Sequence, residues 1–114
     1  MAIPKACTLT IGGSTFAIDS TPVQQTGDAT IESNVYNIWG TVSSLTIIKG
    51  IDKPDVINMY VVRFTAGDGC AIIFDGFALQ WYGGSEPTWN AGSTYEINIV
   101  DNLALWAEFT PSAS

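Results

Sequence analysis

This sequence predicts an all-β fold, an antiparallel β-sandwich of seven or eight strands with a jelly roll as its nearest variant. Three observations carry that reading. Apolar and polar residues alternate at period two in segment after segment, so each segment sets one apolar row on one face of a strand. Gly, Pro, Asp and Asn clusters punctuate these segments about every ten residues, the rhythm of a sandwich or jelly roll. The chain is rich in Thr, Ile, Val, aromatics and Gly and poor in Lys, Arg and Glu, a strand and turn vocabulary.

Cys7-Thr-Leu9-Thr-Ile11 and Ser14-Thr-Phe16-Ala-Ile18 alternate around Gly12-Gly13 and read as a first hairpin with a Gly-rich turn. Asp19 to Asp28 is polar, with Pro22 and Gly27, and reads as a surface loop or an arm reaching a neighbour. Thr30 to Trp39 has apolar residues at mixed spacing and favours a strand, with a short helical turn as the alternative. Gly40 breaks it. Ser43 to Ile48 is the next strand, and Ile51 to Asp55 a turn around Pro54.

Asn58 to Thr65 is the longest expected strand. Tyr60, Val62 and Phe64 line one face and Met59, Val61 and Arg63 the other, which calls for a central position. Ala66 to Gly69 reads as a tight turn before Cys70, Ile72 and Phe74. Phe77, Leu79 and Trp81 share one core-facing row. A Gly/Pro-rich loop follows, and then two alternating runs meet at Asp101-Asn102, residues that accept the left-handed backbone of a two-residue hairpin turn. In the last run Leu105, Ala107 and Phe109 are expected on the core face. Ala104, Trp106 and Glu108 are expected on the opposite one.

With 114 residues and 12.2 kDa the chain forms one domain, 1–114. A composition 46% hydrophobic and 13% charged excludes wholesale disorder. The net charge is −7, and Lys5, Lys49, Lys53 and Arg63 are scattered. That excludes nucleic acid, whose phosphates demand clustered cations, and opposes an anionic membrane. No signal peptide is visible at Met1-Ala-Ile-Pro-Lys5. Cys7 and Cys70 are too few for a disulfide scaffold and read as small buried hydrophobes, with a bridge between them as the alternative.

The chain contains no histidine, which removes imidazole catalysis and His-bearing zinc sites. Asp52, Asp55, Asp68, Asp75, Glu86 and Asp101 all fall in expected turns, and their spacing selects no catalytic pair. The sequence thus points to no catalytic residue, no metal site and no cofactor. The aromatics are the remaining candidates for binding. Tyr82 and Trp89 flank the Gly/Pro loop, where they can stack on a sugar, anchor a protein, or fold back to plug the end of the sandwich. Trp106 points away from the expected core and is a candidate subunit contact. Trp39 completes the set.

Several pieces, in order, carry a family resemblance. Ser44-Leu45-Thr46-Ile47 and Met59-Tyr60-Val61-Val62-Arg63-Phe64-Thr65-Ala66-Gly67 come first. Leu79-Gln80-Trp81, Gly83-Gly84 and Glu86-Pro87 follow, and Ala91 to Ala104, with its Tyr95-Glu96-Ile97-Asn98-Ile99-Val100-Asp101-Asn102 run, closes the series. Together they cover about sixty residues and resemble the tail-fibre, head-fibre and capsid-associated β-sandwich domains of tailed bacteriophages. The resemblance implies a non-enzymatic virion structural protein, a fibre, tail or capsid-decoration subunit, with residues 41–110 as the family-like core and residues 1–40 as a candidate attachment or assembly region. It would be assembled in the host cytoplasm, as a homo-oligomer or with other virion proteins. The alternative is a carbohydrate- or host-surface-binding module, such as a receptor-binding fibre tip, that meets a host-surface glycan through Tyr82 and Trp89.

Overall fold

A computed structural model describes residues 7–11 and 14–110. The regular elements among them are eight strands: β1 (Cys7–Ile11), β2 (Ser14–Gln24), β3 (Ala29–Ile31), β4 (Val35–Lys49), β5 (Met59–Asp75), β6 (Gln80–Trp81), β7 (Thr94–Val100) and β8 (Leu103–Phe109). The fold is all-β. The strands form one sheet in the order β1-β2-β4-β5-β7-β8-β6, and β3 lies beside the second half of β4.

Purely antiparallel pairing is not what the chain adopts. The β1–β2, β5–β7 and β7–β8 ladders are antiparallel, whereas β2–β4, β3–β4, β4–β5 and β6–β8 are parallel. Parallel neighbours ordinarily need a crossover of about a dozen residues or more. Here residues 50–58 suffice because β4 and β5 bend together and carry the chain back over its own sheet. At the bend Val42 pairs with Ala66 and Ser44 with Ala71, so residues 67–70 bulge opposite Ser43. Gly69 supplies the left-handed φ of 61° that this bulge requires.

After the bend, the end of β4 lies against the start of β5. The Tyr60 hydroxyl reaches Gly50 O at 3.3 Å, and Lys49 Nζ stands 5.3 Å from the centre of the Tyr60 ring. Gly50 N–H donates to Ile31 O at 2.9 Å, and a Cβ on Gly50 would stand 2.5 Å from that oxygen. The two halves therefore bury one shared cluster. Val62, Phe64, Ile97 and Ile99 come from the first half, and Leu45, Ile47 and Ile72 from the second.

Three local expectations change. Residues 19–24 belong to β2, which pairs with β4 and accommodates Pro22 at a register shift, where no regular ladder bond is demanded. β4 continues through Gly40, with a register shift there: Ile38 pairs with Arg63 and Thr41 with Thr65, so Trp39 and Gly40 stand opposite Phe64. The tight turn expected at Ala66 to Gly69 is not made: Ala66 stays paired with Val42, and residues 67–70 form the bulge. Ile31 and Trp39 enter the same cluster as β5 and β7.

Two expectations hold in detail. β5 is central, with Tyr60, Val62 and Phe64 buried on its inner face and Val61 covered on the other. Asp101 and Asn102, with φ of 50° and 65°, make the two-residue turn that pairs Val100 with Leu103. The β1–β2 pairing also appears, Ile11 opposite Ser14, while the Gly12-Gly13 turn lies outside the described residues. Cys70 carries a free, half-buried thiol.

Candidate functional site

The facing of β8 is the reverse of the expected one. Ala104 is buried, and Trp106 follows it on the inner face, tilted against Tyr95 at 6.4 Å between ring centres. Leu103, Leu105, Ala107 and Phe109 form the outer row; Leu105 is 44% and Phe109 48% exposed. Both rows of this strand are apolar, so alternation alone does not choose between them. β6 decides it: Gln80 N–H donates to Asn102 O and Tyr82 N–H to Ala104 O, which sets Trp81 beside the fully buried Ala104 in the ladder.

The loop after β6 forms a cleft with β8. Gly83 and Gly84, at φ of 93° and 99°, turn the chain away from β8, and Gly84 N–H closes the turn onto Trp81 O at 2.9 Å. The space left between residues 82–90 and β8 is about 390 Å³ and is lined by Tyr82, Ser85, Glu86, Thr88, Trp106 and Glu108, among others. Tyr82 is 70% and Trp106 38% exposed, so two of the aromatics proposed from sequence meet at this cleft.

The other two do not. Trp89 folds inward, 4.9 Å from Tyr95, 5.3 Å from Phe64 and 6.1 Å from Trp81 between ring centres, and plugs the end of the folded sheet. Its Nε1 is buried and has no partner among the described residues. Trp39 is a core residue, 3% exposed, and its indole N–H donates to Gly27 O at 2.7 Å. A β-branched and aromatic stretch signals a strand in the sequence but not which face of it is covered.

One polar network fixes the cleft floor. The Tyr95 hydroxyl accepts the Asn90 N–H at 2.7 Å. It lies 2.9 Å from Thr88 O and 3.0 Å from Glu108 Oε2, and its single proton serves one of the two at a time. Asn90 Nδ2 donates to the same Glu108 oxygen at 3.1 Å. Hydrogen bonds from Ser93, Asn90 and Tyr95 hold the Glu108 carboxyl below its usual value, whereas burial pushes Glu86 up. Glu108 and Asn90 were not singled out from sequence. The available signal was that Glu108 shares a strand row with Trp106.

A second cleft, about 530 Å³, opens beside Lys49, Asp52, Tyr60, Phe77 and Asp101. Lys49 Nζ lies 3.0 Å from Asp52 Oδ1, and the Tyr60 hydroxyl donates to the same oxygen at 2.7 Å. Burial, and then the hydrogen bond to Asp52, holds the Tyr60 proton well above its ordinary range, and the two contacts clamp residues 50–58 to the returning end of β4. Lys49, Asp52 and Tyr60 are thus occupied with one another. Among the described residues no group of three or more His, Cys, Asp or Glu side chains is arranged to hold a metal ion.

Compared with protein-family models, curated proteins and solved structures, the chain matches none.

Proposed function

We propose that this chain is a non-enzymatic structural subunit that works by protein–protein assembly, and that the assembly is a bacteriophage particle in which it serves as a fibre, tail or capsid-decoration component. The observation that supports assembly is the outer row of β8, where Leu103, Leu105 and Phe109 stand open to water side by side on one sheet face. The face continues over Val100 and Met59 on the neighbouring strands. Its charges are already matched: Arg63 Nη1 lies 3.7 Å from Glu96 Oε1, and its guanidinium covers the Phe109 ring at 5.4 Å. A like subunit therefore meets an apolar, locally neutral face despite a net charge of −7. Covering such side chains is worth about 25 cal/mol per Å². The particle context rests on the resemblance of residues 44–104 to virion proteins. In this reading the folded sheet stands in for the two layers of the antiparallel sandwich or jelly roll that the resemblance implies.

Sedimentation at several concentrations tests the assembly. Wild type is expected to self-associate as concentration rises, and Leu105→Ser with Phe109→Ser to remain a folded monomer. Wild type that sediments as a monomer at every concentration sinks the reading. Carbohydrate recognition through Tyr82 and Trp89 has weaker support, since Trp89 is packed against Phe64 and Tyr95.

A further inference from the structure

β8 has an open edge, and the open part lies inside the cleft. Its backbone parity follows from the bonds to β6: Asn102 O and Ala104 O point away from β7, so Trp106 and Glu108 point the same way. β6 stops at Trp81, and Gly83-Gly84 carry the chain off before it can pair further. The outward N–H and C=O groups of Trp106 and Glu108 therefore have no backbone partner among the described residues. A bare edge of this kind is a template for another strand.

We propose that an extended basic peptide segment adds as a strand to the Trp106–Glu108 edge and sets a lysine or arginine side chain between Glu86 and Glu108. Charge selects the occupant. The cleft presents two carboxylates and no cation. The chain's own β8 carries Glu108 and no basic residue, so a second copy paired here edge to edge would oppose carboxylate to carboxylate. A basic side chain on the added strand falls on the Trp106–Glu108 row, where the Glu108 oxygen is held in place by Asn90 and Tyr95. There it also meets the Trp106 and Tyr82 rings, which attract cations through their π faces. A volume of about 390 Å³ holds a short stretch of such a strand. A sugar would use the rings and carboxylates but would leave the peptide edge unpaired. This inference is independent of assembly through the outer row of β8.

The probe is an acetylated, amidated octapeptide alternating lysine and valine, titrated into the full-length protein at low salt while backbone amides are followed by NMR. Binding is expected to slow hydrogen exchange at the Trp106 and Glu108 amides about tenfold or more, as pairing of a frayed edge does. Glu86→Gln, which removes no hydrogen bond of the fold, is expected to weaken binding about fivefold, the size of one partly exposed ion pair. The same peptide with glutamate for lysine is expected not to bind. Absence of binding by the lysine peptide overturns the proposal. So does equal binding of a version N-methylated at alternate backbone positions, or equal affinity of wild type and Glu86→Gln. Protection of the edge by maltohexaose but not by the peptide would instead assign the cleft to sugar.

Discussion

β7 and β8 are neighbours of seven residues each, joined by a two-residue turn, and both alternate. β7 lies between β5 and β8 and buries Tyr95, Ile97 and Ile99 completely or nearly so. β8 buries only Ala104 and leaves apolar side chains in water on both faces. The difference comes from what lies across each strand. The inner row of β7 meets Phe64, Val62 and Tyr60 of β5 across the ladder and the returning half of the sheet above. β8 has a cover only where β6 pairs with it, at Leu103 and Ala104. The same period therefore serves a core in one strand and a contact surface in the other.

Truncation separates the two most sharply. Ile97→Ala is expected to destabilise the fold by about 2–5 kcal/mol, the range for a fully buried aliphatic, while Leu105→Ala costs under about 1 kcal/mol. Urea unfolding of the two variants at a concentration where the chain is monomeric measures both. Equal losses would mean that the outer row of β8 is covered within a single chain. Next in size is Ala104→Leu, which puts a larger side chain at a fully buried position beside Trp81 and is expected to cost about 1–3 kcal/mol by overpacking. A neutral result would restore the facing first expected for β8. Asn98 provides a smaller and opposite effect. It stands on the outer row of β7 between Val61 and Leu105, with its Oδ1 buried and unpartnered. Asn98→Val removes that acceptor and adds a β-branched side chain, for an expected gain of about 1 kcal/mol. A loss in the same urea assay would show that Asn98 is bonded in solution.

Local chemistry made much of the fold legible. The Asp101-Asn102 turn, the central place of β5 and the all-β class follow from residue type and period, and the structure has them. What could not be read was non-local. The bend of β4 and β5 is made by a bulge whose only sequence sign, Gly67-Asp68-Gly69, is equally the sign of a hairpin turn. Parallel pairing of β4 with β5 follows from that bend, so it was hidden with it. At the cleft, Tyr82 and Trp106 were visible as loop and strand aromatics. The inward turn of Trp89 was only one of two open choices, because it depends on Phe64 and Tyr95 lying beneath the loop. The facing of β8 depended on β6, a strand of two residues with almost no period of its own.

The smallest expected effect asks whether the open end of β8 is tied to β7 by Glu108. The carboxyl titrates below the ordinary 4.5 in the folded chain, because Ser93, Asn90 and Tyr95 hydrogen-bond its ionised form. Unfolded, it takes its proton near 4.5. The stabilisation is therefore fully present above that pH and is lost as pH falls through the lower folded value. Glu86, across the cleft, has the opposite sign: burial raises its carboxyl above 4.5 in the folded chain, so acidification toward 4.5 favours the folded state first. Urea midpoints are thus expected to rise slightly on approach to 4.5 from above and to fall below it. Glu86→Gln should flatten the upper limb. Glu108→Gln should make the lower limb shallower without abolishing it, since Asp52, held below 3.8 by the Tyr60 hydroxyl and Lys49, loses its own bonds in the same direction. If Glu108→Gln instead runs parallel to wild type below 4.5, Glu108 does not hold the end of β8, and the floor of the cleft is set by Asn90 and Tyr95 without it.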